Sequence, residues 1–149
     1  MHRLALLLAL VLPAAAQDRP HVEHLNTEAA LGADLPFSQA VRVGDLVFLS
    51  GALGTVPGTL SLAEGGIEGE ARQTMTNIRA TLEAFGMGMP DVVKCTVMLA
   101  DIAEWPAFNA VYREFFERPF PARSAFAASG LALGARVEVE CIAAAPAAD

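Results

Sequence analysis

The chain has 149 residues, a length that accommodates one domain with a hydrophobic core but not comfortably two. Hydrophobic residues make up 54% of the sequence and charged residues 18%, and this composition excludes an intrinsically disordered chain. The formal net charge of −7 argues against nucleic acid as the main partner, because nucleic-acid-binding proteins gather many cations on one face.

The first 16 residues have the pattern of a secretory signal peptide. A short basic start at Met1–Arg3 precedes an apolar run over residues 4–12, and Ala14–Ala16 provides a small-residue cleavage site. The apolar run is too short to span a bilayer as a helix, and it lacks the amphipathic period of a core helix. We therefore expect cleavage after Ala16 and an exported protein, periplasmic or secreted, with no membrane association after cleavage.

The next part of the chain begins polar and then becomes β-rich. Residues 17–35 form a polar lead-in, in which Val22 to Leu25 can form a short edge strand. Two β-rich runs, 40–43 and 46–49, flank a Gly-Asp turn and predict a hairpin.

Two helices are predicted from apolar stripes. The first stripe repeats every three or four positions, and Gly86 stands where the helix would end. The second helix is expected to start near Trp105, because the proline that follows is tolerated only in a first turn. We interpret Trp105 and the aromatic residues after it as core or subunit contacts. The stripes consist of Ile67, Ala71, Met75, Ile78, Leu82 and Phe85, and of Phe108, Val111, Tyr112, Phe115 and Phe116.

Three further strands are predicted at 91–99, 123–128 and 137–144. The order hairpin, helix, strand, helix, strand, strand predicts one α+β domain over residues 36–149, a two-layer sandwich with both helices on one face of the sheet. The apolar residues of the other face are predicted to be buried against other copies of the chain.

Two cysteines, Cys95 and Cys141, lie in predicted strands. In an oxidising compartment such a pair can form a disulfide, and two small buried hydrophobic residues are the alternative. The sequence does not fix the distance between the two strands, and we favour the second interpretation.

The candidate functional residues of the chain are a few charged residues. The sequence contains no metal-ligand pattern, phosphate-binding loop or nucleophile motif. Arg123, Glu138 and Glu140 stand out because they are charged residues in otherwise apolar strands. An arginine can bind a carboxylate through two parallel hydrogen bonds, and a glutamate can activate a water molecule. The alternative for each residue is a charge on a solvated sheet face or a salt bridge with Arg136, and the residues alone favour that alternative.

Several short sequence motifs resemble those of the Rid family, the reactive-intermediate or imine deaminases also called the YjgF group. The match runs in order, nearly without gaps, from about Pro36 to Ala144. The matching words are Pro-Phe-Ser-Gln-Ala-Val at 36–41, Val-Phe-Leu-Ser-Gly at 47–51, Asn77, Asp-Val-Val-Lys-Cys-Thr-Val at 91–97, Asn-x-x-Tyr-x-x-Phe-Phe at 109–116, Phe-Pro-Ala-Arg-Ser at 120–124 and Val-Glu-Val-Glu at 137–140.

The resemblance implies a fold and an activity. The fold is the chorismate-mutase-like sandwich with a mixed sheet, assembled as a homotrimer with three active sites in clefts between subunits. The activity is hydrolysis of 2-imino or enamine acids to 2-keto acids and ammonia, so the expected partners are small 2-imino or 2-keto carboxylic acids and other copies of the chain. No metal or organic cofactor is implied, and no nucleic acid.

The resemblance also implies roles for five residues. Arg123 would bind the substrate carboxylate as a bidentate fork, and Glu138 would orient and activate the attacking water. Gly51 and Ala125 match positions that line the cleft, and Asn109 matches a position near the same pocket.

Three positions depart from the family pattern. Phe37 occupies a substrate-binding position where active deaminases usually carry tyrosine. Ala52 replaces a glutamine, and Ala125 replaces a cysteine or another polar residue. These changes make the cleft more apolar and keep two further functions open: a binding trimer of the same fold that holds a small carboxylate without turnover, and the ribonuclease activity ascribed to some relatives. The acidic charge and the lack of a histidine near the cleft count against the ribonuclease.

Overall fold

The structure is a computed structural model that describes residues 21–28, 30 and 34–145. The predicted leader, residues 1–16, lies outside the described residues and stays a prediction. No helix within the described ranges is long and apolar enough to cross a membrane.

The described residues form one sheet with two α-helices. In chain order, the strands and helices are β1 (Val22–Leu25), β2 (Ala40–Val43), β3 (Leu46–Leu49), β4 (Ala52–Leu53), α1 (Gly66–Ala84), β5 (Val92–Leu99), α2 (Trp105–Tyr112), β6 (Ala122–Ala127) and β7 (Val137–Ala144). The strand order is β1-β2-β3-β7-β5-β6, and β4 pairs with β7. Only β5 and β6 run parallel among these pairs. The predicted α+β fold with a mixed sheet is therefore confirmed.

Most predicted elements occur close to their expected bounds. The edge strand, the hairpin and the last strand lie at the predicted positions. Gly86 follows the first helix with φ 75°, a left-handed conformation that favours glycine at a helix end. The second helix is shorter than its aromatic stripe, because residues 113–115 tighten into a 3₁₀ turn and Phe116 is extended.

The hydrophobic core lies between the two helices and one face of the sheet. Strand β7 shows the alternation of that face, because Val137, Val139, Cys141 and Ala143 are all buried. They pack with α1 and α2 residues such as Met75, Ile78, Leu82 and Phe108. We call this the helix-covered face of the sheet.

The opposite face, which we call the open face, is not covered by any described helix. Its residues include Phe48 on β3 and Phe126 on β6, whose exposed fractions are 41% and 49%. Exposed aromatic residues on a sheet face favour a partner surface. Burial of this face against other copies of the chain stays a prediction.

Strands β5 and β7 are joined by a disulfide between Cys95 and Cys141. The favoured interpretation of two separate thiols is therefore wrong. The physical reason is the register, which places Cys95 directly opposite Cys141 with their Cα atoms 4.1 Å apart. Both cysteines are also buried in the core. The favoured interpretation was therefore correct about their burial and wrong about their bonding.

Candidate active site

Arg123 lies on the edge strand β6 and points to the helix-covered face. The parallel register pairs Arg123 with Cys95, and residues paired across neighbouring strands share a face of the sheet. Because Cys95 is a core residue, the Arg123 side chain extends toward α2. Arg123 as a whole is half-buried.

Two aromatic rings of α2 hold the Arg123 guanidinium. Its Cζ lies 4.7 Å from the ring centroid of Tyr112 and 5.8 Å from that of Trp105, both within the range of cation–π attraction. Within the described ranges, Arg123 forms neither an ion pair nor a side-chain hydrogen bond. Its N–H groups are therefore available to an anion.

Tyr112 is buried and its hydroxyl has no hydrogen-bond partner among the described residues. Burial raises the pKa of Tyr112 to about 12, against the opposite influence of the nearby Arg123 charge. The phenol therefore stays neutral at physiological pH and does not neutralise Arg123.

Glu138 lies on β7 and points to the open face. It pairs with Met98 on β5 and with Leu53 on β4, while its neighbours Val137 and Val139 are buried under the helices. Glu138 and Glu140 therefore share one face, as their spacing predicts.

The Glu138 side chain lies directly over Gly51. A Cβ added at residue 51 would sit 3.0 Å from Cδ and 3.2 Å from Cγ of Glu138, and closer still to Oε1. The position of the carboxylate thus depends on the missing side chain at residue 51. The structure brings together two of the predicted site residues here.

Phe37 lines a neighbouring cleft of about 580 Å³, together with Ser38 and Ser50. The Ser50 hydroxyl donates a hydrogen bond to the Ser38 carbonyl oxygen (2.7 Å), which fixes the chain just before Gly51. Phe37 is 54% exposed, so its ring can contact a ligand or a partner chain.

Ala125, Ala52 and Asn109 belong to the helix-covered side. Ala125 follows Arg123 by two residues on β6, so it shares the face of Arg123, and Ala52 pairs with the buried Val139. Asn109 lies between Trp105 and Tyr112 at i, i+4 and i+7 spacing on α2, which places the three on one side of the helix.

Arg123 and Glu138 are not brought together within one chain, because they lie on opposite faces of the same sheet. Arg123 contacts α2 on the helix-covered face, and Glu138 lies over Gly51 on the open face. A site that uses both residues must therefore take them from different copies of the chain.

One of the two alternative explanations of the acidic residues, a salt bridge with Arg136, is wrong, whereas Glu140 is exposed, as a solvated charge would be. The Arg136 guanidinium forms an ion pair with Glu104, and its backbone N–H donates to Glu70 Oε2 (2.8 Å). Arg136 precedes β7 and sits beside the start of α2, so Glu104 is its nearest acidic partner. Glu138 and Glu140 form no ion pair within the described ranges.

Trp105 and Tyr112 are functional candidates that the sequence interpretation missed, because it assigned both to core or subunit contacts. Tyr112 is indeed buried, but Trp105 is 41% exposed. The seven-residue spacing between them was the available signal, since two helical turns return to the same side of a helix.

The sheet thus carries two half-sites: Arg123 over aromatic rings, and Glu138 over Gly51. These two half-sites on one mixed sheet define the class of α+β protein to which the chain belongs. The family model described as Endoribonuclease L-PSP matches residues 27–145. The chain therefore belongs to the family of that model, the Rid or YjgF family, and the predicted resemblance is confirmed.

Individual relatives agree with this assignment. The chain is 44% identical over 119 residues to a protein of Capra hircus named 2-iminobutanoate/2-iminopropanoate deaminase, a match that covers 80% of this chain and 87% of the relative. It is 41% identical over 121 residues to Reactive Intermediate Deaminase A, chloroplastic, of Arabidopsis thaliana. That match covers 81% of this chain, which thus spans only 65% of the length of the plant relative.

Among solved structures, the YjgF gene product from E. coli superposes with a TM-score of 0.74 at 33% identity. The superposition covers 82% of this chain and 98% of the E. coli chain. Such coverage shows that the two proteins share the whole fold.

Proposed function

We propose that this protein hydrolyses 2-imino and enamine acids to 2-keto acids and ammonia. Family membership supports an enzyme of the imine deaminase type, because relatives from Capra hircus, Bos taurus and Homo sapiens, at 40–44% identity, carry that name. The observation that carries the proposal is the unpaired Arg123 guanidinium, which is held by aromatic rings rather than by an acid.

Arg123 is proposed to bind the carboxylate of the substrate. Two parallel N–H···O bonds would fix both the position and the plane of that carboxylate. The imine carbon, one bond away, would then face a group on the far side of the cleft. Asn109 and Ala125, on the same side as Arg123, would line the space around the substrate.

Glu138 is proposed to activate the water. Its carboxylate takes a proton from the water as the water oxygen attacks C2 of the imine, and the imine nitrogen takes up a proton. The nitrogen of the resulting carbinolamine takes up a second proton, and the C2–N bond then breaks as the hydroxyl proton is removed, which releases ammonia and leaves the 2-keto acid. Gly51 leaves the space in which the Glu138 carboxylate and this water lie.

A homotrimer is proposed as the active assembly. The opposite orientations of Arg123 and Glu138 support a site at a subunit interface, and the exposed Phe48 and Phe126 support burial of the open face. Light scattering of the purified protein tests this assembly, and a monomer would contradict it.

A second candidate is a trimer of the same fold that binds small carboxylates without turnover. Phe37 and Ala125 favour it, because neither side chain offers a hydrogen bond to a water or an imine. Arg123 alone would suffice for binding.

One assay separates the two candidates. An amino-acid oxidase generates 2-iminopropanoate or 2-iminobutanoate in the presence of semicarbazide, and the purified protein competes with the trap. A deaminase diverts the imine to keto acid, and Arg123→Ala abolishes this diversion. Arg79→Ala is the matched control, because the Arg79 guanidinium also lies over an aromatic ring, 5.6 Å from Phe115. Failure to divert any of several imines would favour the binding trimer.

Export is a further part of the proposal. The predicted leader at residues 1–16 and the buried Cys95–Cys141 disulfide both fit an oxidising compartment. Mass spectrometry of the mature protein tests it, because cleavage after Ala16 gives an N-terminus at Gln17, while an uncleaved chain would contradict export by this leader.

A further inference from the structure

Three arginines of the described residues, Arg72, Arg136 and Arg123, have two different kinds of contact. Arg72 and Arg136 are exposed and pair with acids, Glu114 and Glu104. Arg123 is half-buried and meets two aromatic rings instead. An acid would occupy the N–H edge of the guanidinium, whereas a ring contacts its face and leaves the edge free.

The helix α2 places both rings beside Arg123. Trp105 and Tyr112 are the first and last residues of the helix, and the step of seven residues from one to the other is about two turns, so they lie on one side. The parallel β5–β6 register directs Arg123 toward that side. Two independent features of the fold, helix spacing and strand register, thus meet at this contact.

The Tyr112 ring is held in place by other aromatic residues. It packs against Phe108 and Phe116, with ring centroids 5.6 Å and 4.7 Å away, and the residue is 4% exposed. A buried ring in contact with two other rings has little freedom to move, so it defines where the guanidinium rests. Trp105 is 41% exposed and lies 5.8 Å from the same guanidinium.

We propose that Tyr112 and Trp105 are positioning residues that hold Arg123 by its face and keep its N–H edge free for the carboxylate of the ligand. This inference rests on the proposed function of Arg123 and assigns its immediate support. The ring of Tyr112, not its hydroxyl, carries the effect, because the hydroxyl has no partner among the described residues.

The experiment measures the affinity of the intact oligomer for 2-oxobutanoate by titration calorimetry. Tyr112→Leu removes the ring and is expected to weaken binding by about three- to thirtyfold. Tyr112→Phe keeps the ring and is expected to bind within about twofold of the wild type. Phe115→Leu is the matched control, because it removes the ring beside a different arginine, Arg79, and leaves the affinity unchanged.

Trp105 provides a second pair of variants and an optical signal. Trp105→Leu is expected to weaken binding about two- to fivefold and Trp105→Phe to restore most of it. This pair decides the question if Tyr112→Leu does not fold, because Trp105 is much more exposed than Tyr112. Trp105 is also the single tryptophan of the chain, so its fluorescence reports ligand binding in the Tyr112 variants.

The kinetic signature separates positioning from general damage. If Arg123 holds the substrate carboxylate less firmly, KM rises more than kcat falls. Tyr112→Phe and Trp105→Phe, which keep an aromatic ring, should rescue KM. Folded Leu variants at both positions that bind 2-oxobutanoate like the wild type would overturn the proposal. A Tyr112→Phe variant as weak as Tyr112→Leu would overturn it too, because the hydroxyl would then be responsible.

The same titration keeps this inference apart from the proposed function. If Arg123→Ala loses binding while the Leu variants keep it, only the positioning role is refuted. If Arg123→Ala binds 2-oxobutanoate like the wild type, Arg123 does not hold the carboxylate, and both proposals are overturned.

Discussion

The two half-sites of this protein are built in opposite ways on one sheet. Arg123 lies on an edge strand, and its guanidinium lies over two aromatic rings of α2 that hold it by contact. Glu138 lies on a central strand, and its carboxylate is placed by the absence of a side chain at Gly51. The position of Arg123, the positive half-site, thus depends on the rings around it. The position of Glu138, the negative half-site, depends on the side chain that Gly51 lacks. This difference teaches that each half can be damaged separately. Because the two residues lie on opposite faces of the sheet, the proposed active site takes them from different chains.

The largest effect on kcat/KM is expected from substitutions of Arg123, the positive half-site. Arg123→Ala removes both proposed hydrogen bonds to the carboxylate and should lower kcat/KM by about 100- to 1,000-fold. Arg123→Lys keeps the charge but loses the planar fork, so we expect a loss of about tenfold or more. Steady-state kinetics on imines generated by an oxidase measure both.

Arg136→Lys is the matched control for Arg123→Lys. Arg136 is an exposed arginine whose ion pair with Glu104 contributes about 0–1 kcal/mol to the free energy of unfolding. Its replacement should leave kcat/KM unchanged. If Arg136→Lys and Arg123→Lys lower kcat/KM equally, the contrast between a free and a paired arginine is wrong.

A smaller effect is expected at the negative half. Gly51→Ala puts a Cβ where the Glu138 carboxylate now lies, so the carboxylate must move and kcat should fall by about 10- to 100-fold with little change in KM. The free energy of unfolding should change little, because only the end of a flexible side chain is displaced.

Gly88→Ala serves as the control for Gly51→Ala. Gly88 has φ −145°, and an added Cβ would meet only Pro90 at an ordinary 3.4 Å. We expect normal kinetics and stability from it. A Gly51→Ala enzyme as active as Gly88→Ala would show that the position of Glu138 over Gly51 is irrelevant to turnover.

The smallest effect concerns pH and the ring beneath Arg123. Because burial raises the pKa of Tyr112 to about 12, the folded phenol stays protonated when the unfolded phenol ionises near its usual 10. The stability contributed by Tyr112 is therefore fully present below about pH 10 and falls as the pH rises from about 10 to 12. Denaturant unfolding across this range measures the fall, and Tyr112→Phe should remove part of it.

The absorbance of tyrosinate gives a direct check on the contact between the rings and Arg123. Tyr112 is the single tyrosine of the chain, and the Arg123 charge lowers its pKa. Arg123→Ala should therefore raise the pKa of Tyr112 further. An unchanged pKa would contradict the contact.

The sequence predicts the fold better than the site. Local patterns sufficed for the hairpin at 40–49, the helix that Gly86 ends and the last strand at Val137–Ala144, because each depends on neighbouring residues. The disulfide between Cys95 and Cys141 could not be predicted, because it depends on the pairing of strands 46 residues apart in the chain.

The site required both the family resemblance and the register. Arg123 and Glu138 were identifiable as charges in apolar strands, and the spacing of Glu138 placed it on a face with Glu140. That Arg123 lies on the other face follows only from its pairing with Cys95 in the parallel register. The exposure of Trp105 beside Arg123 likewise depends on the packing of α2, which the aromatic stripe alone does not reveal.

The central claim is that each active site takes Arg123 from one chain and Glu138 from another, and subunit mixing tests it most directly. Arg123→Ala and Glu138→Gln proteins, each nearly inactive alone, are unfolded together at equal amounts and refolded. Across all the refolded oligomers, roughly a quarter of the interfaces combine an intact Arg123 with an intact Glu138. The account predicts recovery of about a quarter of the wild-type activity, and a refolded mixture no more active than its two components would contradict it.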